Sequence, residues 1–268
     1  MAGAKESPGS ATSAEADESA RESLEQGPTL AQEGFTIRRG MSSGPYTSTS
    51  RDALLADLNP GQREAVTHPG GPLLVVAGAG TGKTRVLTRR AAWLVAGGLP
   101  ARAVLAITFT NKAAQVLRSR LAIAPRGDEV WAGTFHGFCA FLLRRYGDRI
   151  DIDPRFTILD RDDQSRLLRV LIADLGLKDS GLKPLQAAEL IGRLKNAAHE
   201  VSSLDLEAMG LAGKFDRLWD AYHERLRAAS LLDFDDLLLD AVRLVREDEE
   251  TCLMLHDRFA HVLVDEYQ

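Results

Sequence analysis

The sequence predicts an α/β fold: a parallel sheet flanked by helices, with an inserted all-helical stretch and a disordered N-terminal tail. Short apolar runs without alternation recur at Leu73–Ala77, Val104–Thr108, Val130–Thr134 and Ala260–Val264. Runs of this kind suit strands covered on both faces, as parallel sheets require. Amphipathic patterns over about Lys83–Ala96, Lys112–Leu121 and Phe135–Tyr146 alternate with the first three runs, giving a βαβ rhythm. Between about Asp148 and Leu232 the pattern turns helical, apart from an extended piece at Phe156–Leu159, which reads as an insertion between two sheet strands.

Taken in order, residues 1–53 are rich in Ser, Gly, Ala and Glu, and bury too little apolar surface to offset ordering entropy. Within the helical stretch, Asp160 and Asp163 are placed to cap a helix bearing Leu167, Leu168, Leu171, Ile172 and Leu175 on one face. Further helices read at about Leu185–Ala198, Phe215–Ala229, Asp233–Arg246 and Thr251–Arg258.

Composition narrows the function classes. With 268 residues, 44% hydrophobic and 26% charged, the chain is neither wholly disordered nor a membrane bundle. A formal charge of −5 gives no overall footprint for nucleic acid, so any such binding needs a local patch. The 2 cysteines, Cys139 and Cys252, are too few for a disulfide framework or a four-ligand zinc site and read as reduced core thiols. The N-terminus lacks the apolar region of a secretory signal, so the expected location is cytoplasmic.

The chemistry concentrates in a few places. Ala77-Gly78-Ala79-Gly80-Thr81-Gly82-Lys83-Thr84 sits between a strand and a helix. It fits the phosphate-binding loop pattern except that Ala77 replaces the first glycine. In such a loop backbone N–H groups converge on phosphate at a helix N-terminus. There Lys83 reaches the β and γ phosphates of ATP and the Thr84 hydroxyl ligates Mg²⁺. The run His261–Val264 ends in Asp265-Glu266. Asp265 suits a second Mg²⁺ contact, and Glu266 a general base that polarises the attacking water.

Gln62, in Leu58-Asn59-Pro60-Gly61-Gln62-Arg63, is either an ordinary polar helix residue or an amide for the N6 and N7 edge of adenine. Thr108-Phe109-Thr110-Asn111-Lys112 and Thr134-Phe135-His136 each follow a strand, at the edge where open α/β sheets bind ligands. Phe109 and Phe135 either stack on bases or pack in the core.

Together, Leu58–Gln62, Ala77–Arg85, Ile107–Ala114, Thr134–His136 and Val264-Asp265-Glu266-Tyr267-Gln268 resemble the Q motif and motifs I, Ia, Ic and II of UvrD/PcrA/Rep-type superfamily 1 DNA helicases. They stand in that family's order over about Leu54–Gln268, and alanine at the Ala77 position is usual there. The resemblance implies a RecA-like P-loop domain, 1A, over 54–145 and 233–268, and a helical insertion, 1B, over 146–232.

It also implies roles. Gln62 recognises adenine, Ala77 to Thr84 hold phosphate and Mg²⁺, and Arg85 lies near the nucleotide. Lys83, Glu266 and Gln268 are catalytic, with Gln268 coupling the γ-phosphate to DNA, and Thr84 and Asp265 are the metal ligands. Phe109, Thr110, Asn111, Lys112, Thr134, Phe135 and His136 line a single-stranded DNA path. Leu232-Asp233-Phe234-Asp235-Asp236-Leu237 resembles a further family segment, although its acidic residues first suggest helix capping and a solvated face.

The family pattern continues past motif II into motifs III to VI and a second RecA-like domain, whereas this sequence stops at Gln268. The expectation is therefore the N-terminal part of an ATP-dependent 3′–5′ DNA helicase. It would act on single-stranded DNA and single-strand/duplex junctions, alongside repair or replication proteins, and alone should be inactive or weakly active. The alternative is a stand-alone ATP- and DNA-binding module that needs a partner chain to supply the second RecA-like domain.

Overall fold

A computed structural model describes residues 48–122, 126–196 and 213–267. In chain order these form α1 (Ser48–Ala53), α2 (Pro60–Thr67), α3 (Lys83–Ala96), β1 (Val104–Thr108), α4 (Asn111–Leu121), β2 (Trp131–Thr134), α5 (Phe135–Tyr146), β3 (Thr157–Ile158), α6 (Arg161–Asp174), α7 (Pro184–Asn196), α8 (Lys214–Ala228), β4 (Leu231–Leu232), α9 (Phe234–Glu247), α10 (Glu249–Arg258) and β5 (His261–Val264). The described residues fall into two compact units, one holding those from Ser48 to Phe138 and from Leu253 to Tyr267, the other those between Cys139 and Cys252.

In the first unit three strands pair in the order β2-β1-β5, all parallel. Central β1 is buried along its whole length, which explains why its sequence is apolar from Val104 to Ile107. On one face Val104 and Ala106 of β1, with Val130 and Ala132 beside them, pack against Leu87, Ala91 and Val95 of α3 and Leu117 and Leu121 of α4. On the β2 strand, the Trp131 ring lies where a Cβ on Gly133 would stand, 2.8 Å from the indole. Trp131 also meets Phe138 edge-on at 4.9 Å, and Phe138 meets Phe259 at 5.9 Å.

Two expectations need correcting in this unit. Leu73–Ala77, read as a strand, is in no sheet among the described residues, and Leu74 and Val76 are 69% and 88% exposed. Local apolar content favours extended backbone, but a strand exists only where another backbone edge takes its hydrogen bonds, and no described segment does so. Residues 48–53, assigned to the tail, instead form α1, held by the Arg51 guanidinium over the Trp93 ring at 3.9 Å. The rest of the assigned tail, residues 1–47, lies outside the described residues.

The second unit is not helical throughout. β3 and β4 form a two-stranded parallel sheet, with Thr157 beside Leu231 and Ile158 beside Leu232. The extended piece expected near Phe156–Leu159 is therefore half of a pair whose other strand the helical pattern hid. Asp160 caps α6, accepting from Asp163 N at 2.7 Å, while Asp163 pairs instead with Arg166. Leu168, Leu171 and Ile172 of α6 pack with Leu190 and Ile191 of α7 and Phe215, Leu218 and Tyr222 of α8.

This unit also takes in residues 139–145 and 233–252, which the sequence pattern assigns to the sheet unit. Polar contacts explain the difference. Arg149 bonds Asp248 and Glu250, and Arg243 donates to Ile150 O.

Lys195 reaches Asp233 Oδ2 and Asp236 Oδ1, each at 2.6 Å, with side-chain exposures of 2%, 3% and 14%. Tyr222 OH donates to the same Asp233 oxygen at 2.8 Å. Burial opposes the Asp233 charge, but the Lys195 charge and hydrogen bond outweigh it and hold that carboxyl below the usual range. Burial, then the Asp233 charge, raise Asp236. Asp233 does cap α9, in a reciprocal capping box with Asp236, but the solvated face expected for this segment is a buried ionic cluster. Burial also pushes the Cys139 thiol up to about 11; both cysteines are free and only partly buried, so the core placement expected for them is not met.

Candidate functional site

All three strands of the first unit run parallel, so the residues after β1, β2 and β5 gather at one edge of the sheet. The glycine loop leads into α3 next to this edge. Gly80 and Gly82 have φ of 75° and 90°, a left-handed geometry that glycine adopts without steric cost. The Thr81 hydroxyl donates to Gly78 O at 2.6 Å, and Lys83 Nζ folds back on Ala77 O and Gly78 O at 3.2 and 3.3 Å. The lysine charge is thus held over the loop rather than extended into solvent.

The joining contact is Thr84 Oγ1, in the first turn of α3, donating to Asp265 Oδ2 at 2.9 Å across 181 positions of sequence. Asp265 is only 5% exposed. A hydroxyl and one carboxylate are hard oxygen donors, the sparse protein set that suits Mg²⁺, which keeps most of its waters. Among the described residues no group of three or more His, Cys, Asp or Glu side chains is arranged for a metal. Glu266, next in the chain, is exposed and has a left-handed φ of 59°. That conformation is strained for a non-glycine residue and turns the chain at the strand end. Gln268 lies outside the described residues.

Gln62 is committed to the loop. Its amide nitrogen donates to Thr81 O at 2.9 Å, while its carbonyl oxygen accepts from Asn59 N in a capping box at the start of α2. In this geometry the amide braces the loop and does not present a free edge. Arg85 is anchored by the Asp57 carboxylate and donates to Asp57 O at 3.0 Å. The sequence reading missed Asn59 and Asp57. The Asn-x-x-Gln spacing of a capping box would have revealed Asn59, whereas nothing local marks Asp57.

The nucleic-acid candidates divide by exposure. The Phe109 ring is 67% exposed at the end of β1, which removes core packing as its explanation. Thr110 caps α4, accepting from Ala113 N at 3.1 Å, and places Asn111 and exposed Lys112 in the first turn. Thr134 does the same for α5 through Gly137 N at 3.1 Å, and Phe135 and His136 behind it are half-buried. Both hydroxyls are therefore helix caps. Among the described residues no helix is long and apolar enough to cross a membrane.

A glycine-rich loop opening a helix, with an acidic strand end hydrogen-bonded to that helix's first turn, defines the P-loop class of α/β proteins. The family model for the UvrD/REP helicase N-terminal domain matches residues 58–268, and the chain belongs to that family. Similar proteins include the ATP-dependent DNA helicase UvrD1 of Mycobacterium bovis, 44% identical over 232 residues covering 84% of this chain and 30% of that protein. UvrD1 of Mycobacterium leprae is 42% identical over 81% of the chain and 29% of its own length. The ATP-dependent DNA helicase PcrA of Bacillus subtilis is 37% identical, over 80% of the chain and 30% of its own length. The chain thus spans about 30% of the length of these relatives.

Proposed function

We propose that this chain is the ATP-binding N-terminal part of an ATP-dependent 3′–5′ DNA helicase. In this reading, whose bounds follow the family resemblance while the compact units divide after Phe138 and before Leu253, residues 54–145 and 233–268 form a RecA-like domain and 146–232 its helical insertion. The observation that carries the proposal is the Thr84–Asp265 contact, because it joins the loop helix to the acidic strand end. The 3′–5′ polarity and the cytoplasmic location rest on family membership.

Bound Mg²⁺ would neutralise phosphate charge and orient the β and γ phosphates of ATP. Thr84 and Asp265 are the residues that would hold it. Lys83 moves its ammonium from the loop carbonyls to the phosphate oxygens, exchanging weak acceptors for charged ones. Gln62 keeps the loop closed through Thr81 and reads the adenine edge when its amide is released. Arg85, braced by Asp57, borders the nucleotide. Glu266 accepts a proton from the attacking water, and Gln268 senses the γ-phosphate.

Across the sheet edge Phe109 and Phe135 stack on bases, with Asn111, Lys112 and His136 beside the phosphates of single-stranded DNA and Thr110 and Thr134 shaping the two turns. A second RecA-like domain supplies arginines that approach the γ-phosphate, of the kind worth about 10³ to 10⁵ in rate. Repair or replication proteins are its expected partners.

The test is ATP hydrolysis stimulated by single-stranded DNA in the full-length gene product. Wild type should show it and Lys83→Ala should not, with strand binding retained by both. Turnover by Lys83→Ala at the wild-type rate would remove the assignment.

A further inference from the structure

Asp57, just before α2, holds two arginines of α3. Arg85 Nη2 donates to the Asp57 carboxylate and, at 3.0 Å, to Asp57 O, while Arg89 Nη2, one turn further along α3, lies 3.4 Å from Asp57 Oδ1. Both hydrogens of Arg85 Nη2 therefore go to one residue, which sets the plane of the guanidinium as well as its position. Arg89 takes the second carboxylate oxygen, so the Asp57 side chain is itself kept from turning. Like charges at the spacing of Arg85 and Arg89 disfavour a helix, and an anion between them relieves the repulsion.

The Arg85 pair is too exposed to add much to the fold. The Arg85 and Asp57 side chains are 40% and 57% exposed, and ion pairs in water contribute little to stability. Their place beside the glycine loop points elsewhere. A Cβ on Gly82 would stand 3.1 Å from Gln62 Nε2 and 3.8 Å from Arg85 Cβ, so these two side chains flank the same turn of the loop. The Gln62 amide is occupied at both ends, by Thr81 O and Asn59 N. The Arg85 guanidinium bonds Asp57 through its edge, and it is through its face that a guanidinium stacks on a flat aromatic ring.

We propose that Asp57 is a positioning residue for the base of the bound nucleotide, holding the Arg85 guanidinium so that one face lies against the aromatic ring. This inference rests on the nucleotide-site reading above and extends it to a residue outside the loop. Phosphates taken up by the loop amides and the start of α3 leave the base to be met at the side of the loop, where Arg85 offers a flat cation. Without Asp57 the long arginine side chain loses its anchor and must be ordered by the nucleotide itself, which lowers affinity.

The experiment is displacement of a ribose-labelled fluorescent ATP analogue from the full-length gene product by ATP and, separately, by inorganic triphosphate, both with Mg²⁺. It compares wild type, Asp57→Ala, Arg85→Ala, the double variant and Lys83→Ala. A cation stacked on an aromatic ring at a partly exposed site is worth about two- to fivefold in affinity. Asp57→Ala and Arg85→Ala should each lose about that factor for ATP, and neither should weaken inorganic triphosphate, which has no base. Asp57→Ala should add nothing in the Arg85→Ala background, because it acts through that arginine. The melting temperature of Asp57→Ala should match that of wild type. Unchanged ATP affinity in Asp57→Ala, an equal loss for ATP and inorganic triphosphate, or additive losses in the double variant would each overturn the role. If Lys83→Ala binds the analogue like wild type, the nucleotide-site reading itself fails. If Lys83→Ala loses the analogue while Asp57→Ala binds ATP like wild type, that reading stands and the Asp57 role falls.

Discussion

Lys195→Met should destabilise the second unit severely. The ammonium contacts Asp233 Oδ2 and Asp236 Oδ1 at 2.6 Å each, and its side chain is 2% exposed. Methionine fills much the same space but leaves two buried carboxylates facing each other without a cation. Tyr222 and Gln164 still donate to Asp233, at 2.8 and 3.4 Å, so one carboxylate keeps neutral partners and the other loses its strongest. Removing one member of a buried ion pair costs about 3 to 5 kcal/mol, a large share of a typical domain's stability of about 5 to 15 kcal/mol. Urea unfolding at pH 7, followed by the fluorescence of Trp219 in a Trp93→Phe, Trp131→Phe background, reads this unit. Adding Asp236→Asn should recover part of the loss, because it removes one of the two stranded charges. A loss below about 1 kcal/mol, the scale of an exposed pair, would show that the cluster is solvated and refute the reasoning.

The same cluster predicts a pH dependence with a definite sign. Asp236 is raised in the fold, so its contribution is fully present below the unfolded value of about 3.9 and is lost as pH rises through the folded value. Asp233 is lowered, so its contribution is present above about 3.9 and lost as pH falls through its folded value. Asp236→Asn should therefore flatten the loss of stability as pH rises above about 4, measured by urea midpoints, and leave the acid limb intact; an unaltered profile contradicts the assignment. Phe109→Ala should weaken single-strand binding by about 1 to 3 kcal/mol without lowering the melting temperature, since the ring is 67% exposed. A lowered melting temperature with unchanged affinity would return the ring to a packing role. Gln62→Ala should raise proteolytic cleavage at the glycine loop by removing the brace to Thr81 O, and equal cleavage rates in limited proteolysis would exclude that brace.

Much of the site was legible locally because loop and cap chemistry are properties of a few adjacent residues. Gly80 and Gly82 announce the turn of the loop and Lys83-Thr84 the helix that follows, whereas Thr110 and Thr134, read as lining a nucleic-acid path, proved to be helix caps only in the structure. The central strand was legible because burial on both faces leaves Val104–Ile107 continuously apolar, with Thr108 the one polar residue at its end. The exposure of Phe109 was not, since the same ring in the same pattern packs or projects according to what neighbours it meets. Gln62 showed the opposite limit: its amide suits a base edge, yet both ends are taken by backbone partners at Asn59 and Thr81.

The sequence by itself determined the α/β class, the order of loop, strands and helices, and the acidic strand end, all of which follow from periodicity and turn chemistry. Tertiary structure decided which extended segments become strands, because Leu73–Ala77 is apolar yet unpaired while Leu231–Leu232 pairs without an obvious pattern. It decided that Asp233 and Asp236 are buried against Lys195, since a charge is solvated or desolvated by residues far away in the chain. It also set Thr84 against Asp265, because packing of the loop helix on the sheet brings together groups whose spacing along the chain carries no trace of their meeting.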